Sequence, residues 1–190
     1  LASARSEGKI LQYRGEDLTV HEATPDSFED VDIVLFAGGS ISKTLAPEAV
    51  KRGAVCIDNS STFRYDPEIP LVVPEVNPED VEWHKGIIAN PNCSTIQMVV
   101  ALKPLHDAYG LKRVVVSTYQ AVSGAGKEGM DELEQQMKAI AEGKEVNIEK
   151  FQYQIANNLI PHIDVFQDND FTKEEMKMTW ETQKMLHSTD

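Results

Sequence analysis

The chain has 190 residues, of which 31 are acidic and 18 basic, giving a formal net charge of −13, and 41% of its residues are hydrophobic. That length accommodates one ordinary domain or two small ones around a sizeable core. The acidic balance argues against a nucleic-acid or anionic-membrane partner but leaves room for a local basic pocket that holds a small anion.

No apolar run approaches the roughly eighteen residues of a membrane span, and the opening residues lack the charged-then-apolar profile of a signal peptide. Cys56 and Cys93, the only cysteines, belong to no CxxC pair and to no Cys/His cluster with metal-ligand spacing. Both are therefore read as reduced thiols of a cytoplasmic protein without a bound metal. The chain begins "LASARSEGK", without an initiator Met, and stops at "MLHSTD" in a polar stretch; both ends read as cuts through a longer protein.

In chain order, Leu18 to His21, Val31 to Ala37, Ala54 to Ile57, Leu71 to Val73 and Gly86 to Ala89 are expected strands. Several are rich in Val and Ile without polar alternation, the pattern of strands buried on both faces, so a parallel sheet covered by helices is expected. Between the second and third, "SISKTLAPEAVKRG" reads as a helix with a Ser start and a Gly stop, in which Pro47 marks a late start or a break. Ser94 to Tyr109 reads as a helix stopped by Gly110, apolar nearly all round and hence largely buried, with a kink at Pro104. "KRVVVSTYQAV" reads as a long strand broken by "SGAG". From Lys127 to Glu142, the positions Met130, Leu133, Met137, Ile140 and Ala141 recur at helical spacing and predict an amphipathic packing helix. "AEGKEVNIEK" is a polar loop, "FQYQIANNLIPHIDVF" is irregular, and a last helix starts at Thr172.

Chemistry concentrates at "NPNCSTIQ", residues 90 to 97. Cys93 lies where a strand ends and a helix begins, and the first N–H groups of that helix, with its dipole, stabilise a thiolate. The site also falls at the carboxyl end of the expected sheet, where open α/β folds bind ligands. Residue chemistry alone leaves Cys93 either a nucleophile or a small packing residue; Cys56, inside "AVCID", reads as core. In "STYQAVSGAGKEG", Gln120 offers a neutral amide to a carbonyl or carboxylate, and Gly124 and Gly126 let backbone approach a flat ligand, although a plain turn has the same pattern. Arg64 and Lys177 are candidate phosphate clamps, or solvated surface charges. Ser3, Arg5 and Ser6 combine two hydroxyls and a guanidinium, which suits a phosphate monoester or an ordinary polar terminus. None of the five histidines has local motif support as a base for Cys93.

Together the segments resemble aspartate-β-semialdehyde dehydrogenase. "NPNCSTIQMVVALKPLHDAYGL" resembles that family's active-site cysteine segment, and "VVVSTYQAVSGAG" its substrate-and-cofactor segment, with "DNSSTFR", "PLVVPEVN", "LIPHID" and "EEMKM" in the family's order. The resemblance implies a Rossmann-like, doubly wound parallel α/β sheet followed by part of an α+β substrate and dimerisation domain, divided into residues 1–92 and 93–190. It implies interconversion of aspartate β-semialdehyde and β-aspartyl phosphate with NADP and inorganic phosphate, through a thioacyl enzyme on Cys93, in lysine, methionine and threonine biosynthesis.

By the same resemblance Gln120 orients the substrate, Arg64, Asn92 and Lys177 form the phosphate site, and Glu174 holds the substrate amino group. Ser3, Arg5 and Ser6 meet the 2′-phosphate of NADP, Gly38 and Gly39 lie along the cofactor, and Ser123 and Gly124 sit near the nicotinamide. A homodimer or homotetramer is implied. The family's first strand and glycine-rich turn, its carboxylate-binding Arg and its acid/base His do not occur in these residues, so the chain by itself is expected to be inactive. N-acetyl-γ-glutamyl-phosphate reductase, or a non-catalytic, dimer-forming or NADP-sensing remnant, are the competing readings.

Overall fold

Short apolar runs become strands here only where a neighbour supplies the other half of the ladder. Ile10–Tyr13 (β1) and Glu16–Thr19 (β2) pair antiparallel in the register Tyr13↔Glu16. The two-residue loop between them, Arg14-Gly15, has φ of 51° and 86°, the left-handed conformation that lets the strands keep their twist through a tight hairpin. Leu18 therefore belongs to an exposed ribbon and not to the parallel sheet. The two-residue loop was the missed signal.

The computed structural model describes residues 1–188. They divide into two units, Leu1–Lys112 together with the stretch from Lys177 onward, and Arg113–Met176. In the first unit, Ile33–Phe36 (β3), Val55–Asp58 (β4) and Ile87–Ala89 (β5) form a parallel sheet in that order. Ser42–Lys51 (α1) is the crossover between β3 and β4, as parallel pairing requires. The fold class is thus α/β and Rossmann-like. The expected strand at Leu71 to Val73 is reduced to a single parallel bridge, Leu71↔Ala89.

Register places Val34, Cys56 and Ile87 side by side. They pack with Phe28, Phe36, Leu45, Ala46 and Ala49 in one core cluster under α1. Phe28, at 1% exposure, contributes roughly 1.5–3 kcal/mol by leaving water. The opposite face is open: Ile33 and Leu35 are 63% and 73% exposed. Burial on both faces is therefore not observed, because no helix among the described residues lies over that side of β3.

α1 follows a 3-10 turn, Gly39–Ile41, with no side-chain cap, so the expected Ser start is replaced by a helical turn that runs straight in. It also continues through Pro47; Lys43, whose carbonyl loses its donor to that proline, lies on the exposed first turn, where water can serve it. Its end follows the expected Gly stop. Ala54 N–H bonds Ala49 O at 3.1 Å and Gly53 N–H bonds Val50 O at 3.0 Å, the paired arrangement of a Schellman cap.

Cys93–Tyr109 (α2) is capped by Gly110, whose N–H bonds His106 O at 2.8 Å. Only Ser94, Thr95 and Val99 are fully buried, while Val100, Leu105 and Tyr109 are 39%, 51% and 85% exposed. Expected burial all round fails because α2 meets the second core cluster, Leu71, Val73, Val76, Ala89 and Met185, through one side only.

The expected strand at "KRVVVSTYQAV", which runs from the end of the first unit into the second, does not form, with Val115 and Tyr119 81% and 86% exposed. Strong β formers do not make a strand without a partner, and none lies beside them among the described residues. Gly126–Ala141 (α3) forms as predicted but turns the other way. Met130 and Met137 of the apolar stripe are 46% and 55% exposed, whereas Glu132 and Gln136 are 6% and 1% exposed.

The cause is the irregular segment that follows, whose backbone needs partners. Gln136 Oε1 accepts from Ile155 N–H at 2.9 Å and Ala156 N–H at 3.0 Å, and its Nε2 donates to Asn147 O at 3.1 Å. Glu132 accepts from Lys150 N–H. Gly129 permits the close approach: a Cβ there would stand 3.2 Å from the Phe151 ring and 2.8 Å from Ala125 Cβ. Lys173–Met185 (α4) opens on a capping box, in which Thr172 Oγ1 accepts from Glu175 N–H at 3.2 Å and Glu175 accepts from Thr172 N–H at 2.6 Å, a sequence-local device legible in "TKEE".

Candidate active site

β5 ends at Ala89, and three residues turn the chain into α2, whose first residue is Cys93. Asn90 N–H bonds Asp58 O at 2.8 Å, and its side-chain Nδ2 donates to Asn59 Oδ1 at 2.6 Å. These bonds seat the turn against the carboxyl end of β4. Asn92 is the extended N-cap: its carbonyl accepts from Ile96 N–H at 2.9 Å, and its Nδ2 donates to Ser94 Oγ at 2.7 Å. Cys93 is exposed, with Sγ 4.0 Å from Asn92 Oδ1. A thiol at the first residue of a 17-residue helix stands where the helix dipole favours negative charge.

Cys56 has the opposite environment. It is fully buried, its Sγ lies 3.5 Å from Ala46 O, and burial, with a smaller contribution from Asp58, pushes its thiol up to about 11. It is a core residue, as expected.

Behind Cys93 lies a residue the sequence reading missed. Glu181, on α4 and 0% exposed, accepts from Asn92 N–H with Oε2 at 2.7 Å and from Arg64 Nη1 with Oε1 at 3.0 Å. Arg64 is itself only 6% exposed; its Nη2 donates to Asn59 O at 2.9 Å, and its Nε has no partner among the described residues. The guanidinium is therefore tethered to the Cys93 turn through one carboxylate, and it is not a loose surface charge. Lys177 is half-buried four residues before Glu181 on α4.

Lys184, also missed, donates to three carbonyls, those of Arg64 at 2.9 Å, Asp66 at 2.6 Å and Ile69 at 2.8 Å, and burial lowers its affinity for a proton. Glu181 occupies the stripe of Met178 and Met185, 7% and 1% exposed. A carboxylate within an apolar stripe was the available signal.

In the second unit, Gln120 Nε2 donates to Glu174 Oε1 at 3.3 Å. Two residues given neighbouring roles by the sequence reading thus meet across 54 positions of chain. Ser123 and Gly124 lie on an exposed 3-10 turn, Val122–Ala125, that leads into α3.

The expected cofactor residues of the first unit sit in two places. Ser3, Arg5 and Ser6 surround the turn Ala4–Ser6, where Ser6 N–H bonds Ser3 O at 2.8 Å; Arg5 is exposed there. Gly38 and Gly39 follow β3 at the carboxyl edge of the sheet, and a Cβ on Gly39 would meet nothing within 4 Å, which leaves backbone accessible to a flat ligand. Hydroxyls fix this loop. Ser42 Oγ donates to Gly39 O at 2.8 Å and lies 2.8 Å from Ser60 Oγ, which in turn donates to the buried Asp58 carboxylate at 2.7 Å. The donor set, bare glycine backbone at a strand end and a Ser/Arg turn, fits a phosphorylated dinucleotide.

Comparison with known proteins gives the same picture. Residues 1–84 match the family profile described as semialdehyde dehydrogenase, NAD binding domain, and residues 102–190 that described as semialdehyde dehydrogenase, dimerisation domain. The aspartate-semialdehyde dehydrogenase of Bacillus subtilis is 59% identical over 100% of this chain and 57% of its own length. A crystal structure of aspartate semialdehyde dehydrogenase II from Vibrio cholerae, complexed with ASA, superimposes with a TM-score of 0.95 at 52% identity, covering 98% of this chain and 56% of that one. The enzyme from Candida albicans, crystallised with NADP, has a TM-score of 0.63 at 25% identity over 97% of this chain and 51% of that one. The chain spans just over half the length of the relatives it matches. With an exposed cysteine heading α2, a guanidinium tethered to its turn, and identity of this order along its whole length, the chain belongs to the aspartate-semialdehyde dehydrogenase family.

Proposed function

We propose that the protein carrying this chain interconverts aspartate β-semialdehyde and β-aspartyl phosphate with NADP and inorganic phosphate, in the biosynthesis of lysine, methionine and threonine. The observation that carries the reading is the exposed Cys93 at the first residue of α2, with Arg64 tied to the same turn through Glu181. Cys93 Sγ attacks the aldehyde carbon, and the C–S bond forms as the carbonyl oxygen takes the displaced electron pair and then a proton. A bound nicotinamide would supply the acceptor for the hydride of that carbon; as the hydride departs, the hemithioacetal hydroxyl gives up its proton, its C–O bond becomes a carbonyl, and Cys93 is left holding a thioester. A phosphate oxygen attacks the thioester carbonyl, the C–S bond breaks, and the thiolate of Cys93 leaves, stabilised by the N–H groups of α2.

Arg64, Asn92 and Lys177 orient the phosphate; Gln120 orients the substrate and Glu174 holds its amino group. Ser3, Arg5 and Ser6 hold the 2′-phosphate, with Gly38, Gly39, Ser123 and Gly124 along the rest of the cofactor. Residues 1–92 are assigned to NADP binding and 93–190 to catalysis and dimerisation: α2 packs with the nucleotide-binding unit yet presents the nucleophile. A homodimer or homotetramer in the cytoplasm, where the thiol stays reduced, completes the assignment.

The test is the phosphate-dependent rise in NADPH absorbance with aspartate semialdehyde, using the full-length polypeptide. Cys93→Ala is expected to lower turnover by at least about a thousandfold, as removal of a nucleophile does. Retained turnover in that variant defeats the assignment.

A further inference from the structure

Glu181 is fully buried, carries a charge, and spends its two oxygens on two different partners: Oε2 accepts from Asn92 N–H at 2.7 Å and Oε1 from Arg64 Nη1 at 3.0 Å. The first partner belongs to the residue immediately before Cys93. The second is the half-fork of a guanidinium that is itself buried. We propose that Glu181 is a positioning residue that sets the Cys93 turn and the Arg64 guanidinium in one fixed relation, and so governs how the site takes its phosphate co-substrate.

This inference rests on the thioacyl reading above and adds to it a residue outside the expected site. Its physical basis is geometric. A buried arginine has a planar fork whose direction follows from whatever holds its edges. Here Glu181 holds Nη1 and Asn59 O holds Nη2, so both ends of the fork are fixed, while the buried Nε–H has no partner among the described residues. On the other arm, a charge-assisted bond to the Asn92 N–H pins the N-cap, and with it the direction in which α2 starts and Cys93 emerges. A neutral amide in place of Glu181 cannot serve both partners: whichever end accepts, the other presents N–H groups to a donor.

Glu181→Gln and Glu181→Asp in the full-length enzyme, beside wild type and Cys93→Ala, test this. The readouts are kcat, the separate KM values for phosphate, semialdehyde and NADP, and the rate at which iodoacetamide alkylates Cys93, with buried Cys56 as the unreactive internal control. Glu181→Gln is expected to raise the phosphate KM at least tenfold, to leave the NADP KM within twofold, and to change the Cys93 alkylation rate at least threefold. Glu181→Asp, which keeps the charge but is one methylene shorter, is expected to recover part of the phosphate KM. A folded Glu181→Gln enzyme with wild-type phosphate KM and alkylation rate overturns the proposal, as does an equal rise in all three KM values. If the Gln variant does not fold, a wild-type phosphate KM in Glu181→Asp overturns it instead. Phosphate-independent turnover in wild type, or turnover in Cys93→Ala, defeats the functional reading and the phosphate half of this one with it, and is told apart from a failure of the Glu181 geometry by the alkylation rate, which still reports whether Glu181 holds the Cys93 turn.

Discussion

Gln136 offers a direct measure of how much a buried polar side chain on α3 contributes to the irregular segment it faces. It is 1% exposed and accepts from two consecutive backbone N–H groups, Ile155 at 2.9 Å and Ala156 at 3.0 Å, while donating to Glu132 Oε1 at 2.8 Å and Asn147 O at 3.1 Å. Replacement by Met keeps the length and approximate volume of the side chain and removes every one of these bonds. Asn147 is exposed, so its carbonyl can turn to water. Ala156 is 0% exposed, so its N–H cannot.

An unsatisfied buried donor costs roughly 1–3 kcal/mol, and the half-buried Ile155 N–H adds a smaller amount, so the local loss is about 3 kcal/mol. Hydrogen exchange of the two amides reads this without any assumption about global unfolding. Gln136→Met should raise the exchange rates at 155 and 156 on the order of a hundredfold, with amides of β4 unaffected. Wild-type protection at both positions would refute the reasoning, because it would mean that the segment is held by its apolar contacts and not by Gln136.

The remaining expectations concern the first unit. Because burial holds the Cys56 thiol protonated up to about 11 against an ordinary value of 9.0, the unfolded chain loses that proton first as pH rises. Stability present below pH 9 should therefore fall between pH 9 and about 11, by roughly 3 kcal/mol. Urea midpoints across that range should show the fall in wild type and a flatter profile in Cys56→Ala; parallel profiles would dismiss the buried thiol as its source. Gly86→Ala should cost about 3 kcal/mol, since φ is +98° and the new Cβ would lie 2.5 Å from Val50 Cγ1, combining a left-handed conformation with overpacking against α1. A change in melting temperature of less than a degree would mean that Val50 moves aside without strain.

Much of this was readable locally. The Schellman end of α1 is written in "KRGA", the capping box of α4 in "TKEE", and the length of α2 in the stretch from the cysteine to Gly110, because each depends on residues no more than one or two turns apart. The direction in which α3 faces was not readable in that way. Its apolar stripe predicted the buried side, and the buried side is instead the polar one, because the facing segment supplies unpaired backbone groups and not a hydrophobic surface. "KRVVVSTYQAV" fails as a strand for a related reason: a ladder is a property of two segments, and propensity describes one.

The cysteine segment divides along the same line. The sequence by itself determined that Cys93 follows a strand, opens a helix and sits in a family-like string of residues, since adjacency and capping are local. Only the tertiary structure decided that Glu181 lies behind it, joining Asn92 to Arg64 across separations of 89 and 117 residues. Nothing in the spacing of those three residues encodes that contact. It follows from α4 burying Met178 and Met185 and carrying the carboxylate in with them, where the burial of a charge demands partners and the turn before Cys93 provides one.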